Sequence, residues 1–194
     1  MAGPGETNDL DFSSLLVPMT VDVAPLAETE EVQAHALIGA AEIKHGGFCV
    51  SLTRDRPKPR AAAPPHARIL VVDDEPATAA LLLRLLTSAG YQPVLARNGR
   101  EFVEQLRRPP LPHLVLLDVM LPDIDGIAIL ARIRSHEVIG QMPVVLLTAQ
   151  SNLADVARGM MAGADGYLTK PASGEALFGV IKQVLAGVPA AHTD

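Results

Sequence analysis

From residue 67 onward, short apolar runs alternate strictly with helix-patterned stretches, five times over. The runs lie at 69–72, 94–96, 114–117 and 144–147, with a weaker fifth at 167–169. Continuous apolar runs of this length suit strands buried on both faces of a parallel sheet. The stretches between and after them predict helices over 76–89, 98–108, 126–137, 152–162 and 173–186. Pro76 fits a first helical turn, Asn98 and Ser173 are capping types, and Gly90, Gly163 and Gly187 follow the predicted ends. Strict alternation of strand and helix argues for an α/β fold, a doubly wound parallel sheet with right-handed crossovers and helices on both faces.

The rest of the chain is patterned differently. Residues 55–66 carry four prolines in twelve positions and read as an extended, proline-rich linker. Before it, residues 1–54 form an extension expected to be weakly structured or to dock on the main domain. Within it, 29–44 has a helical spacing of Val32, Ala36, Ala40 and Ile43, with Gly46 and Gly47 beyond, and 48–52 reads as one short strand. One helix and one strand cannot close a core by themselves. Residues 67–188 are the predicted main domain and 189–194 a tail.

Composition narrows the function classes. The formal net charge is −6; nine acidic and five basic residues precede Ala67, and thirteen and eleven follow it. Neither part has the positive bulk charge of a nucleic-acid binder. The cluster Arg54, Arg56, Lys58 and Arg60 reads as a solvated linker. The single cysteine, Cys49, cannot form an internal disulfide, which fits a reducing, cytoplasmic setting. The start lacks the basic and apolar regions of a signal peptide, and no apolar run reaches the ~18 residues needed to span a bilayer. His35, His45, His66, His113, His136 and His192 show no metal-ligand spacing.

Ligands bind doubly wound sheets beyond the carboxyl ends of the strands. The residues following the apolar runs are Asp73 and Asp74, then Asp118, then Thr148, then Lys170 with Pro171. Each alone is ordinary: paired aspartates commonly make turns or caps. Together they place three carboxylates, a hydroxyl and an ammonium on one rim. Crowded carboxylates repel, and a divalent cation offsets that cost; a hard-oxygen site with room for water suits Mg²⁺. A carboxylate can also act as a nucleophile and form an aspartyl phosphate. A cation, an ammonium and a hydroxyl are suited to bind the oxygens of a transferred phosphoryl group.

The segments ILVVDDEP (69–76), LLDVMLPDIDG (116–126), VLLTA (145–149) and GADGYLTKP (163–171) carry a family resemblance. In this order and spacing they resemble the successive signatures of bacterial two-component response-regulator receiver domains. The resemblance covers 67–187 and implies a CheY-like, flavodoxin-like five-stranded sheet of order 2-1-3-4-5. It implies that Asp118 is the phosphoacceptor. Asp73, Asp74, Asp118 and the Met120 backbone carbonyl would hold Mg²⁺ (or Mn²⁺). Lys170 and Thr148 would contact phosphoryl oxygens. Tyr167 would be the switch aromatic, rotating inward when Thr148 moves and changing the face made by the fourth helix, fifth strand and fifth helix. Pro122, Gly126 and Pro171 match structural positions, and the bond before Pro171 is a candidate cis peptide. Met120 and Gln150 match the positions that tune water access to the acyl phosphate. Neither is a base, so slow self-dephosphorylation is expected.

The implied donor is a sensor histidine kinase or His-phosphotransfer protein. The implied output is a protein partner, with homodimerisation through the same face as a further route. Only seven residues follow Gly187, so output by protein contact is expected rather than through an attached effector domain. One rival is an aspartate-nucleophile phosphatase; it wants a second acid two residues after the nucleophile, where this chain has Met120. The other is an inactive scaffold, against which the intact Asp73, Asp74, Asp118, Thr148 and Lys170 argue.

Overall fold

A computed structural model describes residues 12–16, 38–44, 49–54, 66–149 and 153–186. The main domain alternates β3 (Arg68–Val72), α1 (Pro76–Ser88), β4 (Gln92–Ala96), α2 (Gly99–Leu106), β5 (Leu114–Asp118), α3 (Gly126–Ser135), β6 (Val144–Thr148), α4 (Leu153–Met161), β7 (Gly166–Thr169) and α5 (Gly174–Ala186). Its five strands are all parallel and lie in the order β4-β3-β5-β6-β7, the 2-1-3-4-5 arrangement.

Alternation along each strand divides the core. Leu70, Val72, Val115, Leu117 and Leu146 pack on the face covered by α2, α3 and α4. Their neighbours Ile69, Val71, Leu114, Leu116, Val145 and Leu147 pack on the opposite face with α1 and α5. Both faces are apolar, so the strands read as unbroken aliphatic runs. Helix ends follow local chemistry. The Asn98 side chain accepts from Glu101 N at 2.8 Å, and the Asp125 side chain from Ile127 N at 2.7 Å. Ser173 Oγ accepts from Ala176 N at 3.2 Å. Gly90 (φ 85°) and Gly163 (φ 100°) take the left-handed conformation beyond α1 and α4.

The extension departs from expectation. Residues 38–44 are not helical. They form β1 (Ile38–Lys44), which pairs antiparallel with β2 (Cys49–Arg54) from Ile38↔Arg54 to Lys44↔Cys49. A register irregularity lies between Ile38 and Ala40, at Gly39, where a helix would have been weakened and a bulge is tolerated. Residues 29–37 of the predicted helix lie outside the described residues, as do the linker to 65 and the tail. β2 pairs antiparallel with β7 through Ser51↔Leu168, Leu52↔Tyr167 and Thr53↔Gly166. The sheet therefore has seven strands, in the order β1-β2-β7-β6-β5-β3-β4, and β7 is not its edge.

A second contact of the extension had no counterpart in the sequence reading. Ser13–Leu16 form a 3₁₀ turn against α2 and α3, and Phe12 and Leu15 are fully buried there. Arg132, itself buried on α3, donates from Nη1 to the Leu15 carbonyl at 2.6 Å. The Phe12 ring lies 5.2 Å from that of His136.

Candidate functional site at the carboxyl rim of the sheet

Asp118 is the last residue of β5 and Thr148 the last of β6, so both are ladder residues rather than loop residues. Asp73 directly follows β3 and continues its ladder, donating from its backbone N to the Ala96 carbonyl at 3.0 Å. Lys170 directly follows β7; its backbone N donates to the Thr148 carbonyl at 2.7 Å. Four adjacent backbones thus fix four side chains at one rim, and the sheet's rigidity sets their geometry.

Asp73, Asp74 and Asp118 each offer a carboxylate oxygen, and these atoms lie within 4.8 Å of one another. Lys170 Nζ donates to Asp118 Oδ2 at 2.6 Å and lies 2.7 Å from Asp73 Oδ2. The first contact is a hydrogen bond. The second is an ion pair without hydrogen-bond geometry, so the fully buried Asp73 Oδ2 has no hydrogen-bond donor. Asp118 Oδ1 accepts from Met120 N at 3.1 Å, and Asp73 Oδ1 accepts from Glu75 N at 3.0 Å. Asp74 is exposed while Asp73 and Asp118 are buried. The pocket therefore opens to solvent on the Asp74 side.

Electrostatics follow from burial. Desolvation pushes the Asp73 carboxyl above the ordinary aspartate range; contact with Lys170 opposes this only in part. Burial alone would lower the Lys170 ammonium, but the hydrogen bond to Asp118 and the pairing with Asp73 hold it above the ordinary lysine range. Lys170 pairs with two of the three carboxylates, Asp73 and Asp118. The excess negative charge and the all-oxygen donor set fit a hard divalent cation such as Mg²⁺.

The remaining predicted residues are placed as follows. Thr148 is buried at the rim beside Lys170. Met120 is 65% exposed and forms an isolated bridge with Asp125. Pro122 is exposed on the same loop. Gly126 turns that loop back on β5: a Cβ there would collide with the Asp118 carbonyl oxygen and lie 2.9 Å from Val119 Cα. The Lys170–Pro171 peptide is cis. Gln150 lies outside the described residues. Tyr167 is fully buried among the side chains of the α2–α4 face. A Cβ on Gly159 of α4 would lie 2.6 Å from Leu146 Cδ1, so the glycine lets α4 approach β6, with the Tyr167 ring in ordinary contact beside it. Tyr167 is buried in this way while Lys170 pairs with Asp118.

Two long-range ties escaped sequence reading, one beside the site and one at the opposite rim of the sheet. Asp123 accepts from Gly99 N at 3.0 Å, tying the loop after Asp118 to the start of α2. Arg134 pairs with Asp165 at 2.9 Å and donates to the carbonyls of Gly163, Gly140 and Met142. Asp165 also accepts from Val144 N at 2.8 Å, so this knot sets the starts of β6 and β7. A carboxylate–amide contact across 24 positions or an Arg–Asp pair across 31 leaves no local pattern to read.

Residues 69–182 match the response regulator receiver domain family. The chain belongs to that family. Its receiver is 41% identical over 118 residues to the phosphate regulon transcriptional regulatory protein PhoB of Escherichia coli, covering 61% of this chain and 51% of that one. It is 38% identical over 118 residues to the transcriptional regulatory protein TrcR of Mycobacterium tuberculosis, covering 61% and 45%. The chain thus spans about half the length of these curated relatives. Among solved structures it resembles a putative response regulator from Chloroflexus aurantiacus, at 36% identity and a TM-score of 0.59, covering 62% of this chain and 98% of that one. Chemotaxis protein CheY4 of Vibrio cholerae gives 27% and 0.57, covering 61% and 98%. Receiver domains are signalling switches that bind Mg²⁺ at an acidic pocket, and in this chain Asp73, Asp74 and Asp118 form an acidic cluster at the rim. Among the described residues, no helix is long and apolar enough to cross a membrane.

Proposed function

We propose that this receiver accepts a phosphoryl group on Asp118 from a phosphohistidine of a sensor kinase or phosphotransfer protein. The Asp118 carboxylate attacks phosphorus, the P–N bond breaks, and the electron pair leaves with the donor imidazole, giving an aspartyl phosphate. The observation that carries the reading is Lys170 Nζ at 2.6 Å from Asp118 and 2.7 Å from Asp73, with Asp74 in the same cluster. Asp73, Asp74, Asp118 and the Met120 carbonyl would hold Mg²⁺ or Mn²⁺; a bound divalent cation neutralises charge that gathers on the transferred group. Lys170 releases Asp118 Oδ2 and turns to a phosphoryl oxygen, and the Thr148 hydroxyl donates to another. The protein acts as a binding switch and catalyses only its own phosphorylation and dephosphorylation.

The signalling unit we assign is 67–188, in the cytoplasm, with 1–54 as a docking extension, 55–66 as the connection and 189–194 as a tail. Output passes to a protein partner through the α4–β7–α5 face, with Thr148 and Tyr167 as the switch pair. Met120 is exposed and apolar and offers no base, and Gln150 is a neutral amide, so the phosphorylated form is expected to persist well beyond seconds without a phosphatase. Beryllofluoride with Mg²⁺, followed by NMR, tests the assignment. Thr148 and Tyr167 resonances are expected to shift in wild type and to stay unchanged in Asp118→Asn. Equal shifts in both proteins would overturn it.

A further inference from the structure

An exposed sheet edge is a template for pairing with another strand. In this chain the β7 edge is already taken. β2 pairs with Gly166, Tyr167 and Leu168, and it also lies against α5. The α4–β7–α5 face, the output surface in the reading above, thus carries a strand of the chain's own extension. Leu52 stands opposite Tyr167 in the ladder. On its other side Tyr167 is registered with Leu146, and Thr169 with Thr148. The hairpin is therefore one strand away from the hydroxyl assigned to the phosphoryl group.

The anchor is independent of the hairpin. Phe12 and Leu15 are buried against α2 and α3, and buried Arg132 holds the Leu15 carbonyl. The extension is fixed at this point by aromatic and aliphatic burial and a charge-assisted hydrogen bond. At β7 it is fixed by a three-residue ladder. The two attachments are separate, and the one at β7 lies on the switch.

We propose that the β1–β2 hairpin is the resident occupant of the α4–β7–α5 face, and that phosphorylation of Asp118 loosens it there while the Phe12–Leu16 anchor keeps the extension attached. This rests on Asp118 being the phosphoacceptor. A phosphoryl group on Asp118 draws Lys170 from Asp118 and Asp73, and Lys170 is bonded through its backbone to Thr148. The end of β7 then shifts against β6. The β6–β7 ladder lies inside the parallel sheet; the β2–β7 ladder is short and joins the hairpin to it, so the hairpin yields first. A segment tethered at both ends competes at an effective concentration of roughly millimolar. At equal intrinsic affinity for the face, a protein partner present at micromolar levels is outcompeted about a thousandfold until the hairpin loosens. Coupling of this kind is reciprocal: the factor by which beryllofluoride loosens the hairpin is the factor by which release of the hairpin tightens beryllofluoride binding.

Hydrogen exchange on the full chain, with and without beryllofluoride and Mg²⁺, tests this. Amides of 49–54 are expected to exchange at least tenfold faster with beryllofluoride, with 12–16 unchanged and no response in Asp118→Asn. Leu52→Pro removes a backbone donor from the ladder; it is expected to show fast exchange beforehand and to bind beryllofluoride more tightly than wild type. Unchanged or slower exchange over 49–54, with Thr148 and Tyr167 resonances still shifting, would overturn the hairpin's role and leave the phosphoacceptor standing. Absence of any beryllofluoride response in wild type would overturn the phosphoacceptor itself.

Discussion

At the scale of single residues, the site is held in an electrostatically costly arrangement. Asp73 is fully buried, and its carboxyl titrates above 3.8 chiefly because burial disfavours its charge. The folded protein therefore binds that proton more tightly than the unfolded chain. The contribution of Asp73 to stability accordingly falls as pH rises from 3.8 through the folded value. Removing the charge should relieve the cost. Asp73→Asn is expected to raise the melting temperature in EDTA at neutral pH by a few degrees and to weaken Mg²⁺ binding at least tenfold. Calorimetry with and without Mg²⁺ reads both; a lower melting temperature in EDTA would show that the ion pair with Lys170 outweighs desolvation. Lys170 behaves oppositely. Its raised pKa gives stability fully present below the unfolded value of 10.5 and lost as pH rises through the folded one.

At the scale of elements, the strand ends place the chemistry and the loops refine it. The β5–α3 loop folds back so closely on Asp118 that only glycine fits at 126. Both nearest groups are backbone and cannot rotate away. Gly126→Ala is expected to cost about 1–3 kcal/mol, read by urea unfolding, and to blunt the beryllofluoride response because the Asp118 backbone must shift. Wild-type stability with a full response would contradict the close packing. These elements were largely legible in the sequence. Doubly buried strands leave unbroken aliphatic runs, and rim residues follow at fixed offsets. The Arg134–Asp165 knot was not legible, because it joins the end of α3 to the approach to β7 through space.

At the scale of the molecule, the extension belongs to the receiver's packing. Phe12 is as buried as the central strands, although it lies more than fifty residues before β3. Phe12→Ala is expected to cost about 3–5 kcal/mol with one cooperative transition, measured by denaturant unfolding. A loss below 1 kcal/mol would mean that the anchor does not hold in solution. The mispredicted helix at 38–44 has the same origin. Ala40 and Ile43 satisfy a helical spacing, while the same stretch can also extend as a strand, and the choice fell to the partner strand β2.

Local patterning in the chain was enough to specify the five parallel strands, their helices and the residues at the rim. Apolar periodicity and the polar residues that end it are short-range properties of the chain. Contacts between distant segments were settled only on folding: the 2.6 Å reach of Lys170 to Asp118, its ion pair with buried Asp73, the buried Phe12 and the strand that closes the β7 edge. Each depends on which surfaces meet when the whole chain excludes water, and no window of neighbouring residues carries that information.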